Sequence, residues 1–144
     1  MHSGLGKHGK FKLLVPGKRS QTELNHYSTF LGPEIELLGG DQGIAYKTKR
    51  DFGHFMLSIA QTIDYHFFFA EFGTYSGIRV LRALRAENQA HFFSSKRSIA
   101  SERAQAELLE CFCPASPLWR ESVSKQGIQL VQAAAKMASL SGNA

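Results

Sequence analysis

The residue with the strongest claim to chemistry is Glu71, which follows an aromatic-rich apolar run made of Tyr65, Phe67, Phe68, Phe69 and Ala70. An ionised carboxylate beside such a run costs free energy unless a partner neutralises it or a reaction uses it. Two explanations stand side by side. One is an ion pair, with Arg85 or Arg82 as the partner; the other is a functional carboxylate. The run reads as a strand covered on both faces and ended by Glu71, with Gly73 and Ser76-Gly77 breaking it before a helix. Ligands and catalytic groups in open α/β sheets collect beyond the carboxyl ends of strands, which favours the functional explanation.

The other reactive side chains have weaker claims. His54 and His66 fall in apolar surroundings and read as satisfied core or boundary residues. Strand alternation would put Asp64 and His66 on one face, but nothing in the sequence brings His2 to them. Cys111 and Cys113 are one residue apart with no second pair, so a disulfide would be strained and a zinc site lacks ligands; both read as idle thiols. Tyr75, close to a strand end, is as suited to packing as to contacting a substrate. Glu87 and Asn88 read as helix-anchoring polar residues.

The elements that must position these groups are legible from caps and breakers. Gly4, Gly6 and Gly9 punctuate an opening loop with His2 at its head, and Phe11 to Val15 is a short strand stopped by Pro16-Gly17. Ser20 and Glu23 form a capping-box pattern for a helix ending near Leu31. Glu34 to Leu38 reads as an edge strand, Asp41 to Lys49 as loop, and Asp51 as the cap of a helix with Phe55, Ile59 and Ile63 on one face. Ile78, Leu81 and Ala86, with Val80 and Leu84, predict an amphipathic helix after the central strand. Ser98 and Glu102 start another, with Ile99, Ala106, Leu109 and Phe112 inward, ended by Pro114 and Pro117. Trp119 opens the last helix, which carries two adjoining apolar stripes: Val123, Leu130, Ala134, Met137 and Ile128, Val131, Ala135, Ala138. The product is a mixed α/β unit with helices covering a sheet.

The size of 144 residues is that of one domain, and 43% hydrophobic with 20% charged residues is an ordinary globular composition. A net charge of +5 attracts anionic partners in general. The charges are scattered, however, with Arg79, Arg82 and Arg85 at the spacing of a solvated helix face. No stacking-aromatic or helix-turn-helix pattern accompanies them, so no nucleic-acid partner is expected. No apolar run approaches the length of a membrane helix and no cleavable signal opens the chain, so no membrane partner is expected and the expected location is cytoplasmic.

Three motifs in order carry a family resemblance. H-S-G-L-G at 2–6 is similar to an H-T-G-L-G motif; E-F-G-T-Y at 71–75 is followed by V-L-R-A-L-R-A-E-N-Q-A-H at 80–91; and F-x-P with a following W-R occupies 112–120. Together they resemble the second half of a bacterial family of unknown function, related to the zinc carboxypeptidases and to the aspartoacylase/succinylglutamate desuccinylase group. The resemblance implies an α/β fold in which residues 1–144 form a single partial domain, the carboxyl-terminal part of a carboxypeptidase-like mixed sheet flanked by helices. It implies a zinc-dependent hydrolase that cleaves an amide bond in a peptide or acyl-amino acid, with His2 as a metal ligand and Glu71 as the base that activates the attacking water. The resembled enzymes take two further ligands from an H-x-x-E motif, and no histidine here is followed three residues later by glutamate. The expectation is therefore a fragment, inactive alone, whose H-x-x-E segment lies in an amino-terminal half. The alternative is a non-catalytic docking module or remnant that completes the sheet of such a half.

Overall fold

A computed structural model describes residues 2–4, 6–38, 52–60, 65–95 and 98–141. The order of elements is β1 (His2–Gly4), β2 (Phe11–Val15), α1 (Gln21–Leu31), β3 (Ile35–Leu37), α2 (Phe52–Ile59), β4 (Phe69–Gly73), α3 (Gly77–Phe93), α4 (Ile99–Phe112) and α5 (Pro117–Ser141). The strands form one mixed sheet in the order β1-β4-β2-β3. Strand β4 runs parallel to β1 and antiparallel to β2, and β2 runs parallel to β3. Parallel neighbours need a crossover, and α1 supplies the one between β2 and β3. The α/β class expected from the sequence is the class observed.

Local chemistry sets several boundaries. The Ser20 hydroxyl accepts from the Glu23 N–H while the Glu23 carboxylate accepts from the Ser20 N–H at 2.8 Å, so the capping box forms as expected and α1 starts at Gln21. The Ser76 hydroxyl caps α3 by accepting from the Arg79 N–H, and the Ser98 hydroxyl caps α4 by accepting from the Ser101 N–H. The last helix starts two residues before Trp119, at Pro117, where a missing N–H costs nothing; Ser116 accepts from the Trp119 N–H.

Side-chain alternation divides the sheet. One face carries Leu13, Val15, Ala70 and Phe72, which pack against Tyr27 and Leu31 of α1 and Trp119 and Met137 of α5 to make the main core. The opposite face carries His2, Glu71, Lys12 and Glu36, in the register described below, with Leu14 and Phe69 beside them. A smaller cluster joins Val80 and Ala83 of α3 to Cys111 of α4. Helices α3 and α4 meet through these small side chains, which allow a close approach.

Several expectations fail here, each for a tertiary reason. His2 lies in a strand and not at the head of a loop, because β4 offers it a parallel partner. The central strand spans Phe69–Gly73, so Glu71 sits in its middle and does not end it; strands pair with it on both sides and His2 meets its carboxylate there. Helix α3 buries Val80, Ala83 and Ala90, whereas Ile78, Leu81 and Leu84 are exposed. In α4, Ile99 and Leu109 face outward while Ser101 and Cys111 are buried. Of the two stripes on α5, Val123, Leu130, Ala134 and Met137 pack on the core and Ile128 and Val131 stay exposed. The expected loop at 41–49, the Asp51 cap, Ile63, Asp64 and the side chain of His54 lie outside the described residues. Among the described residues, no helix is long and apolar enough to cross a membrane.

Candidate functional site

Pairing between strands assembles the site. The register sets His2 opposite Glu71 across β1 and β4, and Glu71 opposite Lys12 across β4 and β2. Three ionisable residues from three strands thus line up on one face. His2 Nδ1 lies 3.2 Å from Glu71 Oε1. An ionised carboxylate only accepts, so Nδ1 carries the proton in that contact and Nε2 remains for another partner. The His2 side chain is 61% exposed and that of Glu71 only 12%, so an accessible imidazole stands over a largely covered carboxylate. The next pair in the row is Lys12 with Glu36 of β3. The other oxygen of Glu36 is buried without a hydrogen-bond partner among the described residues.

Burial raises the Glu71 pKa above its ordinary value, and the neighbouring His2 offsets part of the rise. The folded state therefore binds a proton more readily than the unfolded chain does. The associated stability is present in full below the ordinary carboxylate range and is lost as pH rises through the elevated folded value. Glu71→Gln, a neutral isostere, is expected to gain stability relative to the native protein as pH rises from about 4 to about 8. Paired urea denaturations across that range test this; a stability difference that does not change with pH would reject it.

The turn that leads into β2 is tied to the end of β4. The Gly73 N–H donates to the Lys10 carbonyl at 2.8 Å, the Gly9 N–H donates to the Gly73 carbonyl at 3.0 Å, and the buried Trp119 Nε1–H donates to that same carbonyl at 2.9 Å. His8 Nδ1 meets the Thr74 carbonyl at 2.6 Å, and the Thr74 hydroxyl donates to the Gly4 carbonyl. Helix α5 completes the tie, since Ser122 and Gln126 both donate to the Gly9 carbonyl. The strand that carries Glu71 and the loop beside it thus form one braced unit.

Sequence reasoning missed a second polar cluster. The Arg79 guanidinium stacks 3.8 Å over the Tyr75 ring and donates to Glu107, while the Tyr75 hydroxyl donates to Glu110 at 2.5 Å. Hydrogen bonding to Arg79 holds the Glu107 carboxyl below its ordinary range, and hydrogen bonding to Tyr75 does the same for Glu110. Arg79 therefore departs from the solvated face expected for it, and Tyr75 is a packing residue that joins β4 to α4. Cys111 is buried and Cys113 exposed, both as free thiols. His66 meets the Tyr27 hydroxyl at 3.1 Å, which makes it a satisfied boundary residue. Glu71 pairs with His2, so neither Arg82 nor Arg85 is the ion-pair partner anticipated for it.

A catalytic zinc takes three protein ligands and an open position. Among the described residues, no group of three or more His, Cys, Asp or Glu side chains could hold a metal ion. His2 and Glu71 are of the right chemical kind for part of such a centre and too few for a whole one.

Comparison with known proteins gives a single family. No curated protein and no solved structure matches the chain. The match covers residues 1–126 and so includes every strand among the described residues, the His2–Glu71 pair and the braced turn. On that coverage the chain belongs to the family described as "Protein of unknown function (DUF2817)".

Proposed function

We propose that this chain is the carboxyl-terminal portion of a zinc-dependent hydrolase of carboxypeptidase-like or deacylase-like type, acting on an amide bond in a peptide or acyl-amino acid. Glu71 is the base that takes a proton from the attacking water, and His2 is one ligand of the metal. The supporting observation is the direct pairing of His2 with Glu71 across parallel strands, far apart in sequence and 3.2 Å apart at their side chains. A general base must lie within hydrogen-bond reach of the group it serves and have a pKa tuned towards the working pH. Glu71 has the covered position and the upward shift that this task requires.

The described residues do not by themselves fit a catalytic zinc, so the proposal requires an H-x-x-E segment from elsewhere. When bound, zinc would polarise the scissile carbonyl and supply an acidified water. What this chain contributes is proton handling at Glu71 and a metal-facing nitrogen at His2.

The test is to translate the native DNA 5′ of the Met1 codon, co-express any H-x-x-E segment it encodes with the 144-residue chain, and assay zinc content and hydrolysis of N-acyl amino acids and blocked dipeptides. Glu71→Gln is expected to lower kcat of the mixture at least about 100-fold with zinc content unchanged. His2→Ala is expected to lower the zinc content itself. Full activity of the Glu71→Gln mixture would remove Glu71 as the base.

A second reading, a non-catalytic docking module, is favoured by the sheet's outer boundary. Among the described residues β1 is an edge strand of three residues, and such an edge presents unpaired backbone groups to an incoming strand. A mixture that associates, holds no zinc and hydrolyses nothing would select this reading.

A further inference from the structure

A pocket of about 550 Å³ opens beside Glu71, lined by Gly6, Lys7, Lys10, Lys12 and Glu34 as well as Glu71, with Phe11 as its apolar part. That volume is within the range of small-molecule sites. Its three lysines are not equivalent. Lys12 is neutralised by Glu36. Among the described residues, Lys7 and Lys10 meet no carboxylate within salt-bridge distance.

Lys7 and Lys10 are the first and last residues of one turn, closed by the Lys10 N–H donating to the Lys7 carbonyl at 3.0 Å. Gly9, in third place, has φ 68°, the positive value that a type II turn needs there. The geometry of a β-turn keeps the two lysine Cα atoms within about 7 Å of each other. The turn is also braced, because Gly9 is held by Gly73 on one side and by Ser122 and Gln126 of α5 on the other. An isolated exposed lysine gains little from an ion pair, partly because holding two long side chains in one geometry offsets the attraction. Here the turn places the two lysines close together on a fixed backbone, so one ligand group can meet both, and both residues line the same cavity.

We propose that Lys7 and Lys10 bind a carboxylate, making this pocket a subsite for an acidic group held next to Glu71. The ligand class is a carboxylic acid with a short aliphatic stem, carried either by a free diacid or by an acidic side chain of a peptide. Glu34 and Glu71 also line the cavity, so the two unpaired lysines are where it can receive a negative group. This inference concerns binding by the chain itself and does not depend on zinc or on amide hydrolysis.

The experiment is a titration of the 15N-labelled 144-residue chain with glutarate, glutaramide, inorganic phosphate and the blocked tripeptide Ala-Glu-Ala, followed by amide shifts of Gly9, Lys10 and Gly73. Glutarate or the tripeptide is expected to bind at least about tenfold more tightly than glutaramide, a difference of roughly 1.4 kcal/mol. The tighter of the two acids identifies the source of the carboxylate. Lys7→Gln and Lys10→Gln should each weaken binding several-fold and together abolish it, with the dispersed amide spectrum showing that the fold persists. Lys125→Gln on exposed α5 should leave it unchanged. Glutaramide binding as well as both acids, phosphate binding as tightly as the better acid, or a Lys7→Gln/Lys10→Gln double variant that still binds would each overturn the proposal.

Discussion

Gly73→Ala is expected to cost about 3 kcal/mol or more, enough to unfold a marginally stable domain of this size. A Cβ at this position would stand 2.5 Å from the carbonyl carbons of Gly6 and Lys7 and closer still to the Lys7 oxygen. Backbone cannot rotate aside as a side chain can, so the strand end or the turn would have to move. Either movement breaks the bonds by which the Gly73 N–H reaches Lys10 and the Gly73 carbonyl receives Gly9 and Trp119. Urea denaturation followed by circular dichroism measures the loss. A Gly73→Ala protein within about 1 kcal/mol of the native one would show that the turn does not sit where the structure places it.

Trp119→Ala is expected to be comparably severe, at about 3 to 5 kcal/mol. The indole is 7% exposed and packs into the main core with Leu13, Phe72 and Met137. Its Nε1–H also satisfies the buried Gly73 carbonyl. Trp119→Phe separates the two contributions. It keeps most of the ring area and removes only the donor, and Gly9 still serves that carbonyl, so a loss of about 1 kcal/mol is expected. Trp119 is the single tryptophan, so ellipticity and not emission must be the common signal. Equal losses for both variants would assign the effect to the hydrogen bond; a negligible loss for Trp119→Ala would place the indole outside the core.

Features decided by adjacent residues were legible in the sequence. The capping box at Ser20 and Glu23 fixed α1 to the residue, and Ser98 marked the start of α4, because both signals act within one helical turn. The strand at Phe11–Val15 was bounded by its own glycine and proline. Features decided by partners were not. Glu71 looked like the end of a strand because charge usually terminates an apolar run, yet β1 and β2 pair with it on both sides and His2 meets its carboxylate, which keeps it inside one. Ile78, Leu81 and Leu84 made the more hydrophobic face of α3, but α4 approaches the face with Val80 and Ala83, where small side chains allow contact. Glu71 and His2 were singled out, the latter through resemblance, and the structure brings them together. The lysine-lined pocket left only a faint trace, a glycine two residues after one lysine and one before the next.

The parallel register of β1 with β4 also bears on the order in which the chain can fold. His2–Gly4 has β4 as its sheet neighbour among the described residues, whereas β2, α1 and β3 can assemble from contiguous sequence. Loop closure over that separation must precede any reward from pairing, which makes such contacts late and slow. The turn at Gly9 waits longer still, since its carbonyl is satisfied by α5. The His2–Glu71 pair and the cavity beside it are therefore products of the last docking steps. During synthesis, the apolar strand Phe11–Val15 has α1 and β3 to pair with well before β4 and α5 can cover it, which is the interval in which a nascent chain of this topology is most exposed to aggregation.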